Sequence, residues 1–83
     1  MNEVVEPALL MPTARRWAEQ ICECAPLSVR ATKQAAHDGL AHGSLEQAMS
    51  SHHEAIHAML KSEDFVEGPR AFAEKRKPAW KGR

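Results

Sequence analysis

Eighty-three residues make one small domain, of a size that buries roughly 60–65% of its unfolded surface and is only modestly stable by itself. Eleven basic residues balance eleven acidic ones, so no overall field draws the chain toward nucleic acid or an anionic membrane. No apolar run approaches the roughly 20 residues needed to cross a bilayer, and no basic-then-apolar leader is visible.

Residues 1–12 read as an extended entry segment, with Val4 and Val5 strand-like and Pro7 and Pro12 bracketing a loop. From Thr13, a good capping residue, Ala14, Trp17, Ala18, Ile21 and Cys22 fall on one helical stripe, with Leu10 one turn earlier. Trp17 is the largest side chain of that stripe and is expected to anchor the core. Cys22 and Cys24 stand about 200° apart around a helix, too far round to bridge. They read as small packing residues of a reduced, cytoplasmic chain.

Pro26 suits the first position of a second helix, with Ala25 before it pushed toward extended geometry. Val29, Ala35, Ala36 and Leu40 supply its apolar contacts, while Arg30, Lys33 and Gln34 face outward. Gly39 and Gly43 mark its end, one of them expected in the left-handed region, and His37 and His42 sit nearby without a catalytic partner. Ser44-Leu45-Glu46-Gln47 is a capping box. It opens what reads as the longest helix, running to about Lys61 with a stripe of Leu45, Ala48, Met49, His52, Ile56, Met59 and Leu60.

Ser62 caps an acidic turn through Glu67, with Glu63 and Asp64 placed well for the helix dipole. Gly68-Pro69 then interrupts it, because an internal proline loses a hydrogen bond and crowds the preceding turn. A short helix restarts at Pro69 and Pro78 stops it. The helical unit therefore spans 13–77, and 78–83 form a basic tail carrying Trp80. From Arg70 onward six basic residues face a single acid, Glu74, a surplus that can attract a phosphate but by itself reads as a solvated tail. The fold class is all-α: a small bundle of three main helices and a short, broken C-terminal one.

One motif points elsewhere. His53-Glu54-Ala55-Ile56-His57 spells H-E-x-x-H, which on a continuous helix sets two imidazoles one turn apart to ligate zinc, with Glu54 activating a bound water. A hydrolytic centre also needs a third protein ligand, a substrate-binding edge and groups that orient both imidazoles. The later acids Glu63, Asp64, Glu67 and Glu74 come with no glycine-turn-histidine extension. No metal site is assigned.

The stretch Ser62–Arg83 reads S-E-D-x-x-E-G-x-x-A-F-x-E-K-R-x-P-x-W-x-G-R. It resembles the C-terminal signature of the enoyl-CoA hydratase/isomerase (crotonase) superfamily. N-E-V-V at Asn2–Val5 and A-P-L-S-V-R-A-T-K at Ala25–Lys33 resemble the same family in the same order. The resemblance implies the helical region that closes one side of an acyl-CoA pocket and helps assemble a trimer or hexamer. In that family two backbone N–H groups stabilise an enolate oxyanion and, in hydratases, two glutamates activate water. Those groups belong to a β/α spiral core that precedes this segment, so no catalytic residue and no cofactor is assigned here and the segment alone is expected not to turn over substrate.

By the same resemblance Phe72 and Lys75 approach the CoA adenine and phosphates, and Ile56 lines the acyl pocket. The i, i+3 spacing puts Phe72 and Lys75 on one helix face. Pro69 departs from the family pattern and implies a sharper break there. Acyl-CoA is then a partner only within the whole enzyme. The face bearing Trp17, Ile21, Met49, Ile56, Met59 and Phe72 is left for self-association into a homo-oligomer. The alternative is a stand-alone helical interaction module. Acyl-chain choice, and hydration versus isomerisation, are decided outside these residues.

Overall fold

A computed structural model describes residues 1–83, and every regular element in it is helical. A 3-10 turn at Pro7–Leu9 leads into α1 (Leu10–Cys22); α2 (Pro26–Gly39), α3 (Leu45–Ser50), α4 (Glu54–Leu60) and α5 (Glu63–Ala73) follow. No helix is long and apolar enough to cross a membrane. The all-α expectation holds, and the helix boundaries hold where a cap sets them. Pro26 opens α2 behind an extended Ala25. Ser44 Oγ accepts from the Gln47 N–H at 3.2 Å, while the Gln47 carboxamide reaches back to the Gly43 N–H. Ser62 Oγ accepts from the Phe65 N–H at 3.1 Å.

Elsewhere the local signals are overridden. Pro7 and Pro12 do not frame a loop, and Thr13 is not a cap. Pro12 is the third residue of α1, where an N–H has no intrahelical partner to lose, so proline is tolerated. Pro69 does not end α5, which runs on through Gly68-Pro69 to Ala73. The expected long helix from Ser44 to Lys61 is instead two short ones. Ser51 is extended at φ −68°, ψ 146°, and His53 is extended as the N-cap of α4. Neither Gly39 nor Gly43 has positive φ; the residues that do are Lys75 at 54° and Gly82 at 73°.

Very little is enclosed. The only buried residues are Ala31, Ala71, His53, Ser62 and Asp64, three of which are polar. The molecule is a slab of 43 × 41 × 18 Å with a radius of gyration of 16.1 Å, against about 12 Å for a compact chain of this length. Its accessible surface is 7025 Å², where a compact monomer of its mass exposes about 4900 Å². The principal packing is α2 against α4, with α4 meeting α5 and α2 meeting α3; α1 contacts mainly the turn before it. Gln34 is not outward-facing, since its carboxamide oxygen accepts the Ala55 N–H at 3.0 Å and satisfies an orphan donor at the start of α4. Trp17 does not anchor a core. It is 37% exposed, donates to the Glu3 carboxylate at 3.0 Å and lies under the Arg16 guanidinium. Cys22 and Cys24 are free and exposed, not packed.

The C-terminal residues are a strap and not a solvated tail. The buried Asp64 carboxylate accepts the backbone N–H groups of Lys81 and Gly82, each at 2.8 Å, and the Asp64 N–H returns a bond to the Arg83 carbonyl at 3.2 Å. Glu67 accepts the Ala79 N–H at 2.8 Å and holds Arg76 through two bonds of 2.6 and 3.1 Å. Glu63 pairs with Lys81 at 2.7 Å and Arg83 at 3.3 Å. Trp80 lies over Gly68, where a Cβ would come within 3.3 Å of the indole, and its N–H donates to the Glu23 carbonyl just past α1 at 2.9 Å. Trp80 therefore joins α5 to the α1–α2 junction.

Two outcomes follow from this geometry. The Arg76 and Ala79 donors hold the Glu67 carboxyl down to about 2 from an ordinary 4.5, and Lys81 and Arg83 lower that of Glu63. A depressed carboxyl stabilises the fold fully above its unfolded value and loses that contribution as pH falls through its folded one. Acid unfolding followed by circular dichroism should therefore steepen between pH 4.5 and about 2, and Glu67→Gln should remove part of that dependence while leaving the melt near neutral pH less stable. Lys75, an L-residue in the left-handed region, carries strain that glycine does not. Lys75→Gly should raise stability by about 1 kcal/mol in urea titration; a loss of stability would contradict the strained assignment.

Candidate functional site

The end of α5 is where the chemistry suggested by the sequence collects. Ala71 turns inward and is 1% exposed, which rotates its neighbour Phe72 outward to 87% exposure. A phenyl ring held that far into solvent is not packing on Phe65, itself about half exposed. Lys75 is not on a helix face with Phe72, as the i, i+3 spacing implied, because α5 has ended at Ala73. Instead Lys75 occupies the left-handed position of a Schellman turn. Its N–H donates to the Phe72 carbonyl at 3.1 Å, and the Arg76 N–H donates to the Ala71 carbonyl at 3.0 Å. The two residues are thus joined through the backbone closing the helix.

The electrostatics separate three consecutive bases. Arg76 is consumed by the structure: it pairs with Glu67 and with Glu74 at 2.6 Å, which raises its own basicity further. Arg76 and Arg70 together lower the Glu74 carboxyl. Lys81 and Arg83 are held by Glu63. Lys75 and Lys77 take no part in any ion pair, and Lys75 closes the helix that carries the exposed ring. Such a site offers stacking area and a point charge for an anion. Ile56 is half-buried on α4, apart from this elbow and on the helix that meets α5.

The H-E-x-x-H motif does not form a two-histidine face. His53 lies before the helix and His57 in its last turn; His57 stacks instead on His52, ring centroids 4.2 Å apart. His53 is 8% exposed, with Nε2 at 3.0 Å from Ser51 Oγ and Nδ1 at 3.5 Å from Asp38 Oδ2. This row of serine, histidine and aspartate looks like a nucleophile relay but lacks its proton logic. The Ser51 hydroxyl donates to the Ala48 carbonyl at 2.8 Å, so Ser51 accepts from His53 Nε2–H and is not activated by it. No three His, Cys, Asp or Glu side chains converge as a metal cluster. Asp38 and Ser51 had gone unmarked in the sequence, while Asp64 had been read only as an acid favoured by the helix dipole and Gln34 as outward-facing. For Ser51, a signal was present in the run Ser50-Ser51-His52-His53, four poor helix formers in succession.

Comparison with known proteins covers the entire chain. The family described as enoyl-CoA hydratase/isomerase matches residues 1–83. Carnitinyl-CoA dehydratase from Escherichia coli (strain K12) is 39% identical over 89 residues, an alignment covering 100% of this chain and 33% of that protein. (E)-benzylidenesuccinyl-CoA hydratase from Thauera aromatica is 44% identical over 86 residues, covering 99% and 32%. The crystal structure of an enoyl-CoA hydratase/isomerase from Mycobacterium paratuberculosis superposes with a TM-score of 0.90 at 38% identity, over 100% of this chain and 32% of its own. The chain spans about a third of the length of these relatives. Matched by the family from first residue to last, it belongs to the enoyl-CoA hydratase/isomerase family.

Proposed function

We propose that these 83 residues are the C-terminal helical portion of an enoyl-CoA hydratase/isomerase family enzyme, closing one side of an acyl-CoA pocket and contributing to the oligomer. The observation that carries the reading is a family match over every residue of a chain that buries only two apolar side chains of its own. Helices with amphipathic faces and no core belong against something larger. The likeness of Ser62–Arg83 to the family's C-terminal signature supports a place at that end of the enzyme.

In this reading the segment binds and does not react. The backbone donors that stabilise an enolate and the glutamates that activate water lie in the rest of the enzyme. Glu63 and Glu74 are occupied by Lys81, Arg83, Arg70 and Arg76, which leaves them no free role as bases. Phe72 stacks on the adenine, Lys75 supplies charge to the CoA phosphates, and Ile56 lines the acyl chain. The parent enzyme hydrates or isomerises enoyl-CoA thioesters.

Kinetics test the assignment. In an enzyme chain containing this segment, Phe72→Ala and Lys75→Ala should each raise KM for crotonyl-CoA about tenfold, the scale of a lost base-stacking contact, with kcat little changed. Unaltered KM in both variants would overturn the CoA contact, and substantial turnover by the 83-residue chain alone would overturn the division of labour. Association tests the open face. At micromolar concentration the chain should sediment as an oligomer, with Met49→Glu shifting it toward monomer; a clean monomer for the unmodified chain would contradict the self-association.

A further inference from the structure

Lys75 is the one non-glycine residue of the chain at positive φ, 54°, a conformation that costs an L-residue free energy and persists only where its surroundings impose it. The Schellman bonds close the backbone around it, from the Lys75 N–H to the Phe72 carbonyl and from the Arg76 N–H to the Ala71 carbonyl. A side-chain clamp then joins its two neighbours. Arg76 Nε donates to Glu74 Oε2 at 2.6 Å, so the residues before and after Lys75 are tied to one another across it. The other two guanidinium nitrogens donate to Glu67 Oε1 at 2.6 Å and Oε2 at 3.1 Å, and Arg70 Nε holds the second Glu74 oxygen at 3.0 Å. Glu67 and Arg70 both lie within α5, so the clamp is anchored on the helix body. The Ala79 N–H on Glu67 adds the strap to it. The Lys75 side chain enters none of these bonds.

We propose that Arg76 is the positioning residue of the CoA contact: clamped between Glu67 and Glu74, it holds the Lys75 backbone in its left-handed form before CoA arrives. The inference rests on the Lys75 contact proposed above and adds to it a residue that acts through Lys75 and not on the substrate. A lysine is a point charge on a long, flexible stem. A phosphate contact made from an unfixed backbone must order that backbone at the moment of binding, which weakens affinity. The clamp meets that cost at folding instead. Arginine suits the position because its planar fork reaches two carboxylates through three nitrogens, where a lysine has one nitrogen to divide between them. The clamp lies at the surface, its Arg76 side chain 38% exposed, so it adds only modestly to global stability. Its effect falls on binding.

A double-mutant cycle in an enzyme chain containing this segment tests this. Arg76→Lys keeps the charge and breaks the fork; it should raise KM for crotonyl-CoA about fivefold with kcat little changed. Glu74→Gln loosens the clamp while leaving every bond of the strap in place, and should raise KM in the same direction by less. Because Arg76 acts through Lys75, adding Arg76→Lys to Lys75→Ala should raise KM no further than Lys75→Ala does alone. The same cycle run with Glu74→Gln decides the matter where Arg76→Lys fails to fold. A rise that persists in full in the Lys75→Ala background would overturn the positioning role and leave the CoA contact standing. So would a KM unmoved by both clamp variants while Lys75→Ala raises it. A KM indifferent to Lys75→Ala would overturn the Lys75 contact itself, and the positioning role with it.

Discussion

The arrangement rests on one buried carboxylate. Asp64 sits in the first turn of α5, where unpaired helix N–H groups and the helix dipole favour negative charge, and it receives two further N–H donors from Lys81 and Gly82. Enclosing a carboxylate without partners is costly, and so is leaving backbone donors unmet; here each deficit answers the other. Gly82, at positive φ, lets the strand-like tail turn its N–H inward. Once those two bonds register the strap, Ala79 falls onto Glu67 and Trp80 onto Gly68, and the indole N–H reaches the Glu23 carbonyl. Opposite ends of the chain are thereby tied without a conventional core.

That substitution of polar clasps for a core explains why the slab holds together locally while staying open overall. Ala31 and Ala71 are the apolar residues it fully encloses, small side chains that let helices approach but bring little transfer free energy. Leu40, Leu45, Met49, Val66 and Phe72 remain exposed. A set of that size exceeds the scattered surface hydrophobicity of a compact monomer.

How much of this was legible in the sequence follows from range. Ser44, Ser62 and Pro26 act on backbone groups within a turn of themselves, so their caps could be read directly. Pro12 and Pro69 were misread because the rule against internal proline counts a lost bond and a crowded turn, not position in the first turn or the support of a strap packed alongside. The break at Ser51–His53 was hidden by an apolar stripe that keeps its period across it. The bend is secured by Gln34 and Asp38, both on α2, and no local pattern announces partners 15 or more residues away. Trp17 was expected inside as the largest residue of the α1 stripe, yet with no core to enter it lies against Glu3 and Arg16. At the candidate site, Phe72 and Lys75 were legible as residue types; the Schellman turn that joins them was not, since glycine, and not lysine, is its usual signature.

The fate of the basic run follows from that turn. Read as sequence, Lys75-Arg76-Lys77 is a patch of three equivalent charges, easily taken for a solvated end. In the fold the middle one is spent, because Arg76 is the only one of the three held by carboxylates, bridging Glu67 to Glu74 and so fixing the strap to α5. Its guanidinium fork suits that bidentate duty, where a lysine would serve poorly. The flanking lysines keep their charge, and Lys75 does so from a backbone conformation that a lysine adopts only at a cost. Glycine there would close the helix as well and more cheaply. A strained, unpaired cation at the end of the helix that carries an exposed aromatic ring is the arrangement the proposed CoA contact would use.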